Sequence, residues 1–491
     1  MSENSTLPAS VKRYAMYLMV MAGLGGLLYG IDVGAMAAAF PYLKVTSGYS
    51  EAQLGFTVSA VLGGSIFGSL VAGALAEFFG RKKMILASSL CFALSIPIIC
   101  ASALPVFGDA GFWVMLSGRT LQGASAGLFG VVVPMYLAEC LPPESRGMGT
   151  GMFQWFLTIG LLFMAIVGLI VVYAIGASTA EIPVAKKILA WQSIIWASIL
   201  PGVILFFGAF RLRESPRWLY KRGRKEEALA ALAANNGEAK AKAILDDMIA
   251  SDEAEAKAKA ELATKAAGDS IFQKKYIVPF IIAVMVLACT QATGVNSALN
   301  YSVDIFQQAG LENAWANWAD FGFKVVNVVM TLVAMMLVDR KGRTFLLKVG
   351  TTGIIVGLGL VGGIFLALEK GSMVPGMNSG LLVLAGFVIF MAFYAVGPGV
   401  CVWLALSELM PARIRANGMA VGMVINQLVS TTIASALPKW SGAHGYSSVF
   451  LTLVACTVVY LIVAFIMPET KGRTLEEIEK YFATGKMPEK K

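Results

Sequence analysis

One aspartate, Asp32, lies in the middle of the apolar and glycine-rich stretch GLLYGIDVG, which covers residues 26–34. If this stretch crosses a bilayer, a charged side chain near its centre costs at least about 2.5–3.5 kcal/mol, so the aspartate is expected to have a task and a partner. Another apolar stretch contains Arg119, which is the candidate partner.

Two interpretations of this acid and base are open. Removal from water favours the protonated carboxylic acid, whereas a nearby guanidinium favours the carboxylate. A rearrangement that changes the separation of Asp32 and Arg119 would therefore load and release a proton. The alternative is a static buried ion pair that orients two helices.

Several amide side chains also lie inside apolar stretches, and Trp403 lies in such a stretch too. Amides in this setting either hydrogen-bond between packed helices or line a polar pocket for a ligand. Among these amides are Gln154, Gln291, Asn296, Asn327, Asn426 and Gln427. For any one of them, the position in the sequence leaves both interpretations open.

The composition indicates which elements must hold these side chains. The chain of 491 residues is 57% hydrophobic and only 14% charged, and its mean hydropathy is +0.72. These values are typical of an integral membrane protein and not of a soluble one. Twelve apolar stretches are long enough to span a bilayer as helices. They cover residues 15–38, 54–76, 84–104, 112–135, 149–174, 189–210, 277–306, 320–338, 345–368, 380–405, 415–437 and 447–467.

The distribution of basic residues predicts the orientation in the membrane. Most of the 39 lysines and arginines fall on the same side as both termini, which we therefore expect to be cytoplasmic. The basic residues on the opposite side are Lys44, Lys186, Lys187, Lys370 and Lys439. The net charge of +9 is then mostly a signal of topology, and no nucleic-acid partner is expected because the basic residues are spread over many loops. Short outer loops without N-glycosylation signals favour the plasma membrane of a bacterium, its inner membrane.

The sequence offers little for catalysis or for metal binding. The six cysteines form no CxxC pair and lie in or beside apolar stretches, where they are expected to be small packing residues. His444 is the only histidine and falls in a predicted outer loop. We therefore expect no enzyme activity, no metal site and no cofactor.

A polar segment at residues 211–276, rich in Ala, Lys and Glu, divides the twelve stretches six and six. Its pattern predicts short amphipathic cytoplasmic helices. The predicted domains are a six-helix bundle at residues 1–210, this linker, a second six-helix bundle at 277–467 and a cytoplasmic tail at 468–491. We call the two bundles the N-terminal half and the C-terminal half.

Charged residues repeat at matched places in the two halves. GALAEFFGRKK follows the second stretch and MLVDRKGRT follows the eighth, each with an acid four residues before an arginine. AECLPPESRG and SELMPARIRA follow the fourth and tenth stretches, each with an acid seven residues before an arginine. These residues are Glu77, Arg81, Glu139, Arg146, Asp339, Arg343, Glu408 and Arg415. They form either a solvated cytoplasmic rim or an ion-pair latch that closes the cytoplasmic side between the halves, and their repetition favours the latch.

A repeat of two helical bundles is typical of a transporter whose site lies between the bundles. The chain also resembles the sugar porter family of the major facilitator superfamily, in segments spread over nearly its whole length. The matching segments are GRTLQGASAGLFGVVVPMYLAE at 118–139, ESPRWL at 214–219, QATGVN at 291–296, DRKGR at 339–343 and PETKGRTLEEIE at 468–479. This resemblance implies an all-α membrane protein with twelve transmembrane helices in the major facilitator fold.

The resemblance also implies import of a monosaccharide by alternating access. Proton-coupled members of the family have Asp and Arg at the positions of Asp32 and Arg119, so the resemblance favours a proton-coupled symporter with Asp32 as the proton site. The alternatives are a passive sugar uniporter, a polyol transporter and, more remotely, a non-transporting sugar receptor. The expected partners are the sugar, the proton and the lipid bilayer, and we expect the monomer to be functional.

Residues of the predicted substrate site follow from the same resemblance. Those at sugar-binding positions of the family are Gln154, Gln291, Asn296, Asn327, Trp403 and Asn426. Thr290, Asn300 and Gln427 stand where the family commonly has a glutamine, a tyrosine and a tryptophan. We include these three in the predicted site, and because they differ from the family pattern, they leave the identity of the sugar open.

Lys324 lies at the outer start of the eighth stretch. Lysine side chains near the ends of membrane helices often extend to the lipid headgroups, and this is the expectation for Lys324. Asp304 and Asp320 lie near the same face, and pairing with one of them is the alternative.

Overall fold

The computed structural model of the chain describes residues 9–140, 143–175, 182–238, 240–250, 273–411, 414–471 and 475–484. These residues form helices joined by short loops, and no strand occurs among them. The helices of the N-terminal half and the linker are α1 (Ala9–Thr46), α2 (Glu51–Phe79), α3 (Arg81–Ala101), α4 (Gly111–Cys140), α5 (Pro143–Ile175), α6 (Val184–Ala197), α7 (Ile199–Ala209), α8 (Pro216–Lys221) and α9 (Lys225–Asn236). The helices of the C-terminal half and the tail are α10 (Lys274–Ala292), α11 (Val295–Gln308), α12 (Asn313–Lys341), α13 (Arg343–Glu369), α14 (Met377–Val396), α15 (Pro398–Leu409), α16 (Arg415–Ile466) and α17 (Leu475–Thr484).

Eleven helical segments in the described part of the chain are long and apolar enough to cross a membrane. The last of them, Gly418–Ile466, is 49 residues long. Its backbone leaves the helical conformation at Gly445, where φ is +78°. This segment therefore accounts for the eleventh and twelfth predicted spans, and the chain is an all-α, multi-pass membrane protein as its composition predicts.

Glycines let the helices of the N-terminal half approach each other closely. A Cβ atom added at Gly30 of α1 would overlap the backbone carbonyl oxygen of Leu157 on α5. A Cβ atom added at Gly64 of α2 would overlap the backbone carbonyl oxygen of Thr120 on α4. Small residues at such contacts are typical of membrane helix packing. These contacts fix the backbones of the two helices, α1 and α4, that carry the buried aspartate and arginine.

The internal repeat is visible at two matched turns. Gly80, between α2 and α3, has φ +98°, and Gly342, between α12 and α13, has φ +91°, a conformation that favours glycine. The first backbone N–H of α3 donates to Glu214 at 2.8 Å, and that of α13 donates to Glu469 at 3.0 Å. A carboxylate is stabilised at a helix N-terminus, so the linker and the tail each bind to the equivalent turn of their half.

Two membrane helices of the C-terminal half are interrupted. Gly294, with φ +78°, separates α10 from α11. The segment VGPG at 396–399 separates α14 from α15. Interrupted helices are a common feature of transporter binding sites, because the free backbone groups and helix ends lie at membrane depth.

The linker helices α8 and α9 pack on the N-terminal half. The Trp218 Nε1–H donates to the backbone carbonyl oxygen of Glu77 at 2.8 Å, and Arg222 donates to the same oxygen at 3.0 Å. A small apolar cluster joins these helices to the helical residues 240–250. The short helices predicted for the linker are therefore present in its described part, whereas residues 251–272 lie outside the described residues.

Gly30→Ala is expected to destabilise the protein, because the added methyl group has no room against Leu157. Overpacking of this kind costs about 1–3 kcal/mol and is measured as a lower unfolding temperature in detergent. Gly63→Ala on α2 is the matched control, since nothing lies within 4 Å of a Cβ added there. An unchanged unfolding temperature for Gly30→Ala would contradict the close approach of α1 and α5.

Candidate functional site

Asp32 on α1 and Arg119 on α4 meet inside the N-terminal half. Arg119 Nη1 donates to Asp32 Oδ1 at 3.0 Å, and each side chain is 1% exposed. The structure thus brings together the acid and the base that the sequence analysis pairs. Because both charges are removed from water, neither is stable there without the other.

Arg119 donates to two further acceptors, and the second carboxylate oxygen of Asp32 takes no part in the ion pair. Arg119 Nε donates to the backbone carbonyl oxygen of Thr57 at 3.3 Å, and Arg119 Nη1 also donates to Gln122 Oε1 at 2.8 Å. Among the described residues, Asp32 Oδ2 and Gln122 Nε2 are buried without a hydrogen-bond partner. The sequence analysis missed Gln122, although a residue three positions after an arginine on a helix lies on the same face.

The surroundings of the ion pair are apolar. A cavity of about 10 Å³ lies beside Arg119 and is lined by Ile99 of α3 and by Trp191 and Ile195 of α6, among others. A cavity of this size holds no ligand larger than a water molecule. A sugar therefore does not fit in this cavity beside Arg119.

Several residues of the predicted substrate site meet where α10, α11 and α16 come together. Asn296 Nδ2 donates to Gln291 Oε1 at 3.0 Å and to Ser430 Oγ at 2.7 Å. Asn300 Nδ2 donates to the backbone carbonyl oxygen of Asn296 at 2.7 Å. Gln291 and Asn296 thus lie on either side of the helix break at Gly294 and hold each other in place.

Thr290 is placed differently, because it is buried within the C-terminal half. Its hydroxyl group lies 2.7 Å from the hydroxyl group of Tyr460 on α16. Contact with a substrate would therefore require this hydroxyl to exchange a partner. The side chain of Trp403 lies outside the described residues, so its place in the site stays a prediction.

The remaining residues of the predicted substrate site come from both halves. Gln427 of α16 lies near the phenol of Tyr29 on α1. Gln154 on α5 is half-buried, and Asn327 on α12 and Asn426 on α16 are buried. The sequence analysis missed Tyr29, whose only signal is its position one helical turn before the buried aspartate.

The expectation that Lys324 extends to the lipid headgroups is wrong. Its side chain is 0% exposed, and Lys324 Nζ donates to Asp320 Oδ2 at 2.7 Å. The other carboxylate oxygen, Asp320 Oδ1, accepts a hydrogen bond from Ser302 Oγ at 2.5 Å. The alternative of pairing with Asp320 is therefore correct, and this cluster joins α11 to α12.

We call the end of the protein that carries Lys44 and Asp304 the outer end, after the predicted orientation. Lys44 Nζ of the N-terminal half lies 3.7 Å from Asp304 Oδ1 of the C-terminal half, and Tyr446 donates to Asp304 Oδ2 at 2.8 Å. Asn313 Nδ2 donates to the hydroxyl oxygen of Tyr42 at 2.9 Å, again between the halves. The two halves are therefore joined at the outer end.

We call the opposite end, which carries Arg81 and Arg343, the inner end. Arg81 pairs with Glu139 at 2.8 Å and with Glu77 at 3.4 Å, and Arg343 pairs with Glu408 at 3.1 Å. Each of these pairs lies within one half. The predicted latch residues whose side chains lie outside the described residues are Arg146, Asp339 and Arg415.

Comparisons with known proteins agree with this architecture. The family model described as "Sugar (and other) transporter" matches residues 18–482. The chain is 31% identical to the major myo-inositol transporter IolT of Bacillus subtilis, over 95% of this chain and 93% of the relative. It is 26% identical to the arabinose-proton symporter of Bacillus subtilis, over 95% of each chain. The inward-open structure of the xylose transporter XylE from E. coli matches with a TM-score of 0.79 at 22% identity, over 95% of this chain and 99% of that one.

Lys324→Met is expected to destabilise the protein, because it leaves the Asp320 carboxylate buried without its partner. Breaking a buried ion pair from one side costs about 3–5 kcal/mol, measured here as a lower unfolding temperature in detergent. The double variant Asp320→Asn with Lys324→Met removes both charges and is expected to recover part of the loss. Lys439→Met, at an exposed lysine, is the control. If Lys324→Met unfolds at the same temperature as Lys439→Met, the lysine is not buried with its charge.

Proposed function

Because this chain belongs to the family of sugar (and other) transporters, within the major facilitator superfamily, we propose that it is a proton-coupled symporter. In this proposal it imports a monosaccharide or a closely related polyhydroxyl compound by alternating access. Asp32 is the proton site and Arg119 is its partner. The family and fold are those of a transporter and not of an enzyme.

The observation that carries the proposal is the difference between the two buried aspartates. Both oxygens of Asp320 accept hydrogen bonds, from Lys324 and from Ser302. Asp32 Oδ1 accepts from Arg119, whereas Asp32 Oδ2 is buried without a donor among the described residues. A carboxylate oxygen that is removed from water and lacks a donor is stabilised by taking up a proton. This supports Asp32 as the residue that takes up the transported proton, whereas the contacts of Asp320 to Lys324 and Ser302 support a structural role for that residue.

The contacts between the halves support a transport cycle. At the outer end the halves are joined by the pair of Lys44 and Asp304 and by the bond of Asn313 to Tyr42. At the inner end the described ion pairs lie within each half. We therefore assign this conformation to the inward-facing state, in which sugar and proton leave to the cytoplasm.

The predicted latch at the inner end belongs to the opposite, outward-facing state. In that state the charged residues of the two halves meet and close the inner end. A network of such pairs biases an equilibrium between two conformations by a few kcal/mol. The pairs of Arg81 with Glu139 and of Arg343 with Glu408 meanwhile keep each half rigid during the change.

Proton coupling is strong enough to concentrate a neutral solute. One proton that moves down a membrane potential of 100 mV releases about 2.3 kcal/mol. This free energy corresponds to roughly 50-fold accumulation.

We propose that both termini are cytoplasmic, that the protein lies in the inner membrane of a bacterium and that the monomer transports.

The substrate class follows from the predicted site and its relatives. Amides such as Gln291 and Asn296 offer both donors and acceptors, which suit the hydroxyl groups of a neutral sugar or polyol. Gln427 stands where the family commonly has a tryptophan, and it lies beside Tyr29. A site with less aromatic surface and more hydrogen-bonding groups favours a compound rich in hydroxyl groups, and a relative at 31% identity is a myo-inositol transporter. A polyol is therefore the second candidate substrate.

The test is uptake of labelled sugars and polyols, including xylose, arabinose, glucose and myo-inositol, by proteoliposomes with and without an inward proton gradient. Wild type is expected to accumulate its substrate above the external concentration only when the gradient is present. Asp32→Asn is expected to lose this accumulation and to keep exchange of substrate across the membrane, because the amide binds no proton. Asp320→Asn is the comparison variant, with lower stability but retained accumulation per folded molecule.

Two results would contradict the proposal. If wild type only equilibrates its substrate whatever the gradient, the protein is a passive uniporter and the buried pair is structural. If no compound of the panel is transported by wild type, although labelled substrate binds to it, the protein is a receptor on a transporter fold.

A further inference from the structure

Arg119 shares one nitrogen between two acceptors. Its Nη1 donates to Asp32 Oδ1 at 3.0 Å and to Gln122 Oε1 at 2.8 Å. Gln122 is 0% exposed and lies on α4, one turn after Arg119. The Asp32 carboxylate can lose its charge by taking up a proton, whereas the Gln122 amide stays neutral.

This difference matters when the acid takes up a proton. The Arg119 guanidinium keeps its charge at every physiological pH, and a buried cation without an acceptor is strongly unfavourable. When Asp32 is neutral, its oxygen is a poorer acceptor and Gln122 Oε1 is the remaining side-chain acceptor of Nη1 in the described structure. The backbone carbonyl oxygen of Thr57 continues to hold Nε.

We propose that Gln122 is a positioning residue for proton coupling, which holds Arg119 in place while Asp32 carries the proton. This inference rests on the proposed function, since it assumes that Asp32 is the proton site. Gln122 stabilises the protonated state of the pair more than the ionised state, because only in the protonated state does Arg119 depend on it. Gln122 thereby sets the pH at which the transporter loads its proton.

The other groups described around the pair are neutral phenols, backbone groups and apolar side chains. Two further ionisable side chains interact electrostatically with the pair, Tyr29 on α1 with Asp32 and Tyr301 on α11 with Arg119. Both are phenols, which are neutral near pH 7. The helix α2 contributes the carbonyl oxygen of Thr57, and α5 packs on α1 through backbone contacts at its glycines. The side chains that α3 and α6 place against Arg119 are apolar: Ile99, Trp191 and Ile195.

The spare amide nitrogen is a second mark of this role. Gln122 Nε2 is buried without an acceptor, and Asp32 Oδ2 is buried without a donor, in the described part of the chain. Two unsatisfied groups that flank the same guanidinium are expected to gain partners when the pair rearranges.

Two substitutions are expected to move the pH dependence of transport in opposite directions. The readout is the pH at which gradient-driven uptake by proteoliposomes falls to half of its maximum. Gln122→Leu removes the neutral acceptor, so Arg119 depends on the Asp32 carboxylate and proton loading requires a lower pH. Gln122→Glu adds a carboxylate that competes for Arg119, so Asp32 accepts its proton at a higher pH. A hydrogen bond to a charged group corresponds to a shift of about one pH unit in each direction.

Gln192→Leu is the matched control, since Gln192 donates to the backbone carbonyl oxygen of Cys100 at 3.1 Å and makes no described contact with Arg119. It is expected to leave the half-maximal pH unchanged. Exchange of labelled for unlabelled substrate at equal pH on both sides reports folded protein for every variant. If Gln122→Leu does not fold, Gln122→Met takes its place as the apolar variant, and the direction of the Gln122→Glu shift still tests the inference.

The outcomes separate this inference from the proposed function. Opposite shifts for the apolar and acidic variants support a positioning role for Gln122. Shifts in the same direction, or none, in proteins that exchange substrate normally would overturn that role while wild type remains a symporter. Uptake by wild type that ignores the proton gradient overturns both.

Discussion

A carboxylate and a guanidinium buried in one helical bundle constrain the rest of this protein. Neither charge is stable alone in apolar surroundings, so Asp32 and Arg119 stay together unless a proton neutralises the acid. Their positions depend on α1, α2, α4 and α5, which approach closely because glycines lie at their contacts. The N-terminal half is thus a closely packed body, in which one buried ion pair joins α1 to α4.

The C-terminal half contains two helix interruptions at membrane depth. Its helices are interrupted at Gly294 and at the segment VGPG, and the amides Gln291 and Asn296 lie beside the first interruption. The helix α11 joins α12 through the Ser302 and Asp320 contact, and it joins α1 across the outer end through Asp304 and Lys44.

The sequence predicts the membrane helices, the linker helices and the pairing of Asp32 with Arg119, because hydropathy and the cost of an isolated buried charge are local properties. It does not predict the burial of Lys324, because a lysine near the end of a span can extend to the headgroups or pair with an acid. The acid it pairs with, Asp320, is also held by a hydrogen bond from Ser302 on another helix, which the local sequence does not reveal. Gln122 was missed for a similar reason, because a glutamine within an apolar helix also fits plain packing. The spacing of the charged residues around Arg81 and Arg343 also leaves open whether each arginine pairs within its own half or with the other half, and the structure places Glu139 and Glu408 beside them.

The central claim is that Asp32 itself binds the transported proton. Infrared difference spectroscopy of the protein in lipid, recorded while the pH is raised, measures this most directly through the C=O band of a protonated carboxylic acid. The account predicts a band that disappears as the pH rises in wild type and in Asp320→Asn, and that is absent from Asp32→Asn. A band that is still present in Asp32→Asn would contradict the claim. A band that is present in Asp32→Asn and missing from Asp320→Asn would assign the proton to the other buried acid.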